Sequence, residues 1–155
     1  MKRFTAFLLS TFFVCSAFAQ SNALWLRYPS ISPDGKTIVF GYKGDIYRVE
    51  AAGGTAVPLT IHEAQDMMPV WSHDGKTIAF SSDRYGNFDV FTIPSFGGVA
   101  KRLTFNSAND YPYDFSPDNN QIIFGSGRNA PVAGECNCFS VMAPYRHHIL
   151  CLMYR

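Results

Sequence analysis

Between Tyr28 and Ser126 the chain alternates short apolar runs with clusters of Pro, Asp, Gly, Asn and Lys. Runs this short, rich in β-branched and aromatic residues and bounded by turn formers, predict strands. In TIVF at 37–40 and TIAF at 77–80, Ile and Phe fall on one side of the strand and Val or Ala on the other, so both faces are apolar. Such a strand requires a packed layer on each side. The first stretch parses into strands at 28–32, 37–42, 45–49 and 55–60, separated by turns at 33–36, 43–44 and 51–54. Pro33 at a corner, Asp34 able to bond its own backbone and Gly35 free to take positive φ make the first of these a hairpin turn with a mechanism.

The whole pattern recurs. ISPDGKTIVF at 31–40 returns as WSHDGKTIAF at 71–80 and again as FSPDNNQIIF at 115–124. Asp34, Asp74 and Asp118 mark the three copies, and the second interval is longer than the first by four. DIY from Asp45 recurs as DVF from Asp89, GG at Gly53 recurs at Gly97, and LT at Leu59 recurs at Leu103, all at the longer interval. The difference of four places an insertion between Phe80 and Asp89, where SSDRYGNFD replaces the shorter GYKGD. A repeat of this length with several internal turns predicts a propeller blade of four antiparallel strands. The fold class expected is therefore all-β: an incomplete β-propeller with two full four-stranded blades and half of a third, at about 28–66, 67–110 and 111–130.

Composition agrees. Aromatic residues reach 15% and charged residues only 16% of the chain, which is β-rich. Thirteen basic residues against twelve acidic ones give net +1, so there is no electrostatic footprint for nucleic acid or an anionic membrane. At the N-terminus, Lys2 and Arg3 precede an apolar run from Phe4 to Val14, and Ala17-Phe18-Ala19 supplies a small-x-small cleavage site. Residues 1–19 are expected to be a signal peptide, making the mature chain periplasmic or secreted, with no membrane association after cleavage. Lipid modification of Cys15 is the alternative, disfavoured by the bulk of Val14 before it.

Chemistry is sparse. The repeated Asp34, Asp74 and Asp118 read as turn residues, because the turn itself recurs, and His73 as a turn residue in place of Pro33. No G-x-S-x-G elbow, P-loop, dinucleotide fingerprint or zinc-protease motif occurs, so no catalytic residue, metal ligand or cofactor is assigned. In an up-and-down blade, the link to the next blade and the loop between strands two and three emerge on one side of the disc. That places His62, Glu63, Asp66, Asp83, Arg84, Tyr85, Asn87, Asn109 and Asp110 on a common candidate binding face. Its mixed charge, with Tyr85 and Phe88 nearby, suits a peptide or protein partner; ordinary solvated loops are the bland alternative.

Beyond about Ala130 the landmarks stop. Three of the four cysteines fall after that point, and 131–155 reads as a truncated or out-of-frame end, or as a divergent cap. Cys136 and Cys138 with His147 and His148 lack the paired spacing of a metal site, and a disulfide or free thiol is the plainer expectation.

The three copies resemble the PD-type β-propeller repeats of TolB, of dipeptidyl peptidase IV and prolyl oligopeptidase relatives, and of tricorn-type peptidases. LWLRYP at 24–29, GDIY at 44–47, PLT at 58–60 and SDRYGNFDVF at 82–91 are most similar to secreted bacterial tricorn-type homologues. This resemblance implies an N-terminal six-bladed propeller that filters or channels peptides, followed by a second propeller, a PDZ domain and a serine peptidase domain. It implies that the chain is a non-catalytic propeller segment, with the remaining blades and the peptidase domain of its parent as partners. A TolB-like interaction propeller with no protease attached is the other reading.

Overall fold

The computed structural model describes residues 25–127, 138–143 and 146–149. The expected leader at 1–19 and Cys136 lie outside these residues. The described residues form three four-stranded antiparallel sheets and no helix. The first is β1 (Arg27–Ile31), β2 (Thr37–Tyr42), β3 (Asp45–Glu50) and β4 (Val57–Pro58). The second is β5 (Asp66–Trp71), β6 (Thr77–Ser82), β7 (Asp89–Pro94) and β8 (Lys101–Arg102). In the third, β9 (Asp110–Phe115) and β10 (Ile122–Ser126) are continued by β11 (Cys138–Ala143) and β12 (Arg146–Ile149). Strand order within every sheet follows chain order, the topology of propeller blades. Three blades fall short of the four that the smallest closed propellers need, so the propeller is incomplete.

The sequence landmarks carry the third blade only as far as β10. Beyond it, β11 joins through the register Ile122 to Met142 and Ser126 to Cys138. Backbone pairing needs neither the GG nor the LT signal, which is why the sheet extends where the sequence pattern stops. The fourth strands are shorter than the pattern predicts. β4 covers only Val57 and Pro58, and β8 only the equivalent Lys101 and Arg102.

Each of the three hairpins is built the same way. Ser32 N donates to the Thr37 carbonyl at 2.8 Å, and the Ser32 hydroxyl accepts from Thr37 N at 2.9 Å while donating to Asp34 at 2.6 Å. Ser72, Asp74 and Thr77 repeat this with distances of 2.9, 2.9 and 2.7 Å, and Ser116, Asp118 and Gln121 repeat it again. The turn needs positive φ at its third corner. Gly35 and Gly75 supply it at 72° and 69°, and Asn119 at 59°, asparagine being among the side-chain-bearing residues that best tolerate that region.

Adjacent blades pack through faces of opposite kind. Trp71, Ile78, Phe80, Phe91 and Ile93 of the second blade are buried against Val39, Ile46 and Leu59 of the first. Phe115, Ile122 and Phe124 of the third blade are the repeat counterparts of Trp71, Ile78 and Phe80, and pack on Ala79 and Val90 of the second. The two-sided apolar strands foreseen at 37–40 and 77–80 are the reason each blade can join two neighbours. Polar bonds reinforce the seams. Trp71 Nε1 donates to the Ser30 carbonyl at 3.1 Å, and His73 Nε2 lies 2.9 Å from the Phe115 carbonyl.

Candidate functional site

Links between blades and the loops between second and third strands meet at one edge of the sheets. Asp66 N, at the start of β5, donates to the Gly44 carbonyl of the β2–β3 turn at 2.7 Å, and Asp110 N donates to the Phe88 carbonyl in the same way at 2.7 Å. A side-chain latch fixes each link where it leaves its blade. Thr60 Oγ1 accepts from Ile46 N at 2.9 Å and donates to Asp45 at 3.2 Å; Thr104 accepts from Val90 N at 2.8 Å and donates to Asp89 at 3.2 Å. The repeated DIY and LT landmarks are the two halves of this latch.

The candidate residues on this edge play different parts. His62 and Glu63 are exposed in the first link, where His62 N donates to Asp45 at 3.1 Å and His62 Nδ1 accepts from Ala64 N at 3.0 Å. Asp83 accepts from Gln65 N at 2.7 Å, tying the insertion to the link. Asn87 Nδ2 donates to the carbonyls of Asn106 and Ala108, each at 2.9 Å, and Asn109 Oδ1 accepts from Phe88 N at 3.0 Å. These amides hold loop to loop. Asp66 and Asp110 are buried, as first residues of their strands, and so lie beneath the surface that their neighbours present. The Asp66 carboxylate is paired with Arg84 at 2.8 Å, and that guanidinium lies 5.2 Å from the Phe91 ring centre.

Large apolar side chains stand exposed above this scaffold. Tyr85 is 64% exposed at the tip of the insertion, and its ring stacks at 4° on Phe91 beneath. Ile61 and Phe105, equivalent in the repeat and each immediately after an LT pair, are 84% and 70% exposed. Arg102, paired with buried Asp89, lies 4.2 Å from the Tyr85 ring centre and 4.8 Å from that of Phe105. Trp25, Lys43, His62 and Glu63 line a groove of about 480 Å³ at the first link. Ile61, Phe105 and Trp25 were not among the residues the sequence pointed to. The available signal was the recurrence of a large apolar residue right after LT, where the strand has already ended.

The opposite edge carries the hairpin turns. The hydroxyls of Ser32, Ser72 and Ser116 hold the carboxyls of Asp34, Asp74 and Asp118 below the ordinary aspartate value, aided by the backbone N–H groups of Lys36, Lys76 and Asn120. Each carboxylate is engaged within its own turn, the arrangement of a structural residue. Among the described residues no group of three or more His, Cys, Asp or Glu side chains is gathered in a way that could hold a metal ion.

Residues 23–148 match the model of the tricorn protease N-terminal β-propeller domain. The peptidase YuxL of Bacillus subtilis strain 168, described as uncharacterized, is 35% identical over an alignment of 69 residues, with coverage of 38% of this chain and 10% of that protein. A structure from Agrobacterium tumefaciens assigned as TolB is similar with a TM-score of 0.69 and 24% identity, over 80% of this chain and 47% of that one. The tricorn protease crystal structure is similar with a TM-score of 0.57 and 16% identity, over 76% of this chain and 12% of that one. The chain thus spans a tenth of the peptidase relative and about half of the TolB structure.

Proposed function

The chain belongs to the tricorn protease N-terminal β-propeller family, and we propose that it is the opening, non-catalytic propeller segment of an exported peptidase, recognising or gating peptide substrates at its loop edge. One observation carries this reading: Tyr85 and Phe105 stand exposed on either side of Arg102, and Ile61 is exposed at the equivalent position of the first link, on loops that side-chain hydrogen bonds hold to one another. Exposed apolar side chains on hydrogen-bonded loops, together with the groove lined by Trp25, Lys43, His62 and Glu63 at the first link, suit the side chains and backbone of an extended or unfolded peptide. Their positions on two links and an insertion spread the contact over the first two blades. Net charge near zero disfavours nucleic acid as the partner. The basic, apolar and small-residue pattern of 1–19 supports export.

Peptides selected on the purified chain from a random display library, then titrated by fluorescence anisotropy, test the proposal. Ile61→Ser and Phe105→Ser should each weaken binding about tenfold, the loss of roughly 1.4 kcal/mol from one apolar anchor. Equal affinity for wild type and both variants would reject it. The TolB-like reading, an interaction propeller without a protease, shares the blade fold. It differs in preferring a folded protein surface to unfolded peptides in the same titration.

A further inference from the structure

One arginine on the loop edge keeps donors that the fold does not use. Arg102, at the end of β8, is paired with the buried carboxylate of Asp89, and its side chain is 21% exposed. The rings of Tyr85 and Phe105 lie on either side of the guanidinium, their centres 4.2 and 4.8 Å from its central carbon. A guanidinium is planar and holds all its donors in that plane. Nη2 donates to Asp89, whereas Nε is buried with no hydrogen-bond partner and Nη1 is neither buried nor hydrogen-bonded among the described residues. With both faces flanked by rings, an acceptor reaches Nη1 along the plane, through the slot between Tyr85 and Phe105.

Blade construction does not require this slot. By the interval of the repeat, the first blade has Pro58 where the second has Arg102, and its shorter GYKGD turn has no counterpart of Tyr85. Charge and shape say what the slot takes. Arg102 and Asp89 together are neutral, so a ligand carboxylate would set a second negative charge near a buried one, and a neutral acceptor would not. In an extended peptide the carbonyls point sideways from the chain, while successive side chains point to opposite faces. A carbonyl directed at Nη1 therefore sends the side chains before and after it toward opposite walls, one to Tyr85 and one to Phe105.

We propose that Arg102 holds a main-chain carbonyl of an extended peptide in the slot between Tyr85 and Phe105, and that the residues on the two sides of this carbonyl are apolar. The proposal rests on the reading of the loop edge as a peptide-binding surface. It gives that surface a substrate class: extended segments with two consecutive apolar residues, held by backbone register and not by charge.

Calorimetric titration of the full chain tests it. The probe is a peptide selected from a display library that lacks Asp and Glu, synthesised with an amidated C-terminus. In a series of analogues, one peptide bond at a time is replaced by an alkene, which removes the carbonyl. One replacement, between two apolar residues, should weaken binding about tenfold or more, and in Arg102→Met the same replacement should cost about twofold at most. If the peptide binds and Phe105→Ser weakens it, but no replacement is coupled to Arg102, the proposal is overturned and the peptide reading stands. If the acid-free library yields no binder while peptides with free carboxylates bind, Arg102 is a carboxylate anchor and the proposal is overturned. If no peptide of either kind binds, the peptide reading itself falls and this proposal with it. Arg102→Met leaves Asp89 without its partner; should its β-sheet circular dichroism be lost, Asp89→Asn with Arg102→Met takes its place, and the same loss of coupling is required.

Discussion

The hydroxyl of Thr104 donates to the buried carboxylate of Asp89 at 3.2 Å while accepting from Val90 N, so one side chain ties the end of the second blade to the start of its third strand. The Thr60 and Asp45 pair does the same in the first blade, but there the aspartate is half-exposed. Thr104→Val keeps the shape, leaves the buried Val90 N–H without its acceptor, and takes one hydrogen bond from a buried carboxylate that keeps its Arg102 partner. It should cost about 2 kcal/mol, at the upper end for a lost buried hydrogen bond, and Thr60→Val should cost about 1 kcal/mol. Urea unfolding of the two variants checks the order; equal costs would mean that burial of the carboxylate does not set the strength of the latch.

Arg84 and Asp66 offer a second test. The Asp66 side chain is fully buried and its carboxylate is paired with the guanidinium at 2.8 Å. Arg84→Ala should destabilise by about 3 kcal/mol by leaving that charge buried and alone. The position of the first blade that corresponds to Asp66 is Leu26, so an apolar residue is compatible with the blade design. Asp66→Leu combined with Arg84→Met should therefore recover most of the loss, within about 1 kcal/mol of the parent. Chemical denaturation of the single and double variants would reveal a failure to recover.

The hairpin aspartates set an acid limit. Ser72 holds the Asp74 carboxyl below its ordinary value of 3.8, and Ser32 and Ser116 do so for Asp34 and Asp118. A carboxyl depressed in the folded state stabilises it above the unfolded value, and that contribution is lost as pH falls through the folded value. Stability should be flat in this respect above about pH 5 and should decline as pH drops through about 4 and below. Asp74→Asn should flatten part of that decline, and Ser72→Ala should move the Asp74 titration upward when followed by NMR. An unmoved titration would show that the serine is not what holds the carboxyl.

Much of this was legible in the chain because the blade is locally written. The hairpin at Asp34, Asp74 and Asp118 depends on residues close together in sequence, and two-sided apolar strands announce stacked sheets. DIY and LT were visible as landmarks, but the bond that joins Asp45 to Thr60 and Asp89 to Thr104 was not. Tyr28 and Met68, equivalent in the repeat, take φ of 53° and 55° at matching irregularities in β1 and β5. Nothing in a tyrosine or a methionine signals this, because the packing of the strand imposes it. Chain position puts Asp66 and Asp110 with the loop edge. Strand pairing buries them, and burial follows from tertiary structure, which a link's composition does not carry.

Hydrogen–deuterium exchange of the chain with and without a selected peptide tests the central claim, that the loop edge is the binding surface. The account predicts protection in the two links, 61–66 and 105–110, and in the insertion at 83–88, with the hairpin turns at 33–36, 73–76 and 117–120 unchanged. Protection confined to those hairpin turns, with both links and the insertion exchanging as freely as before, would contradict it.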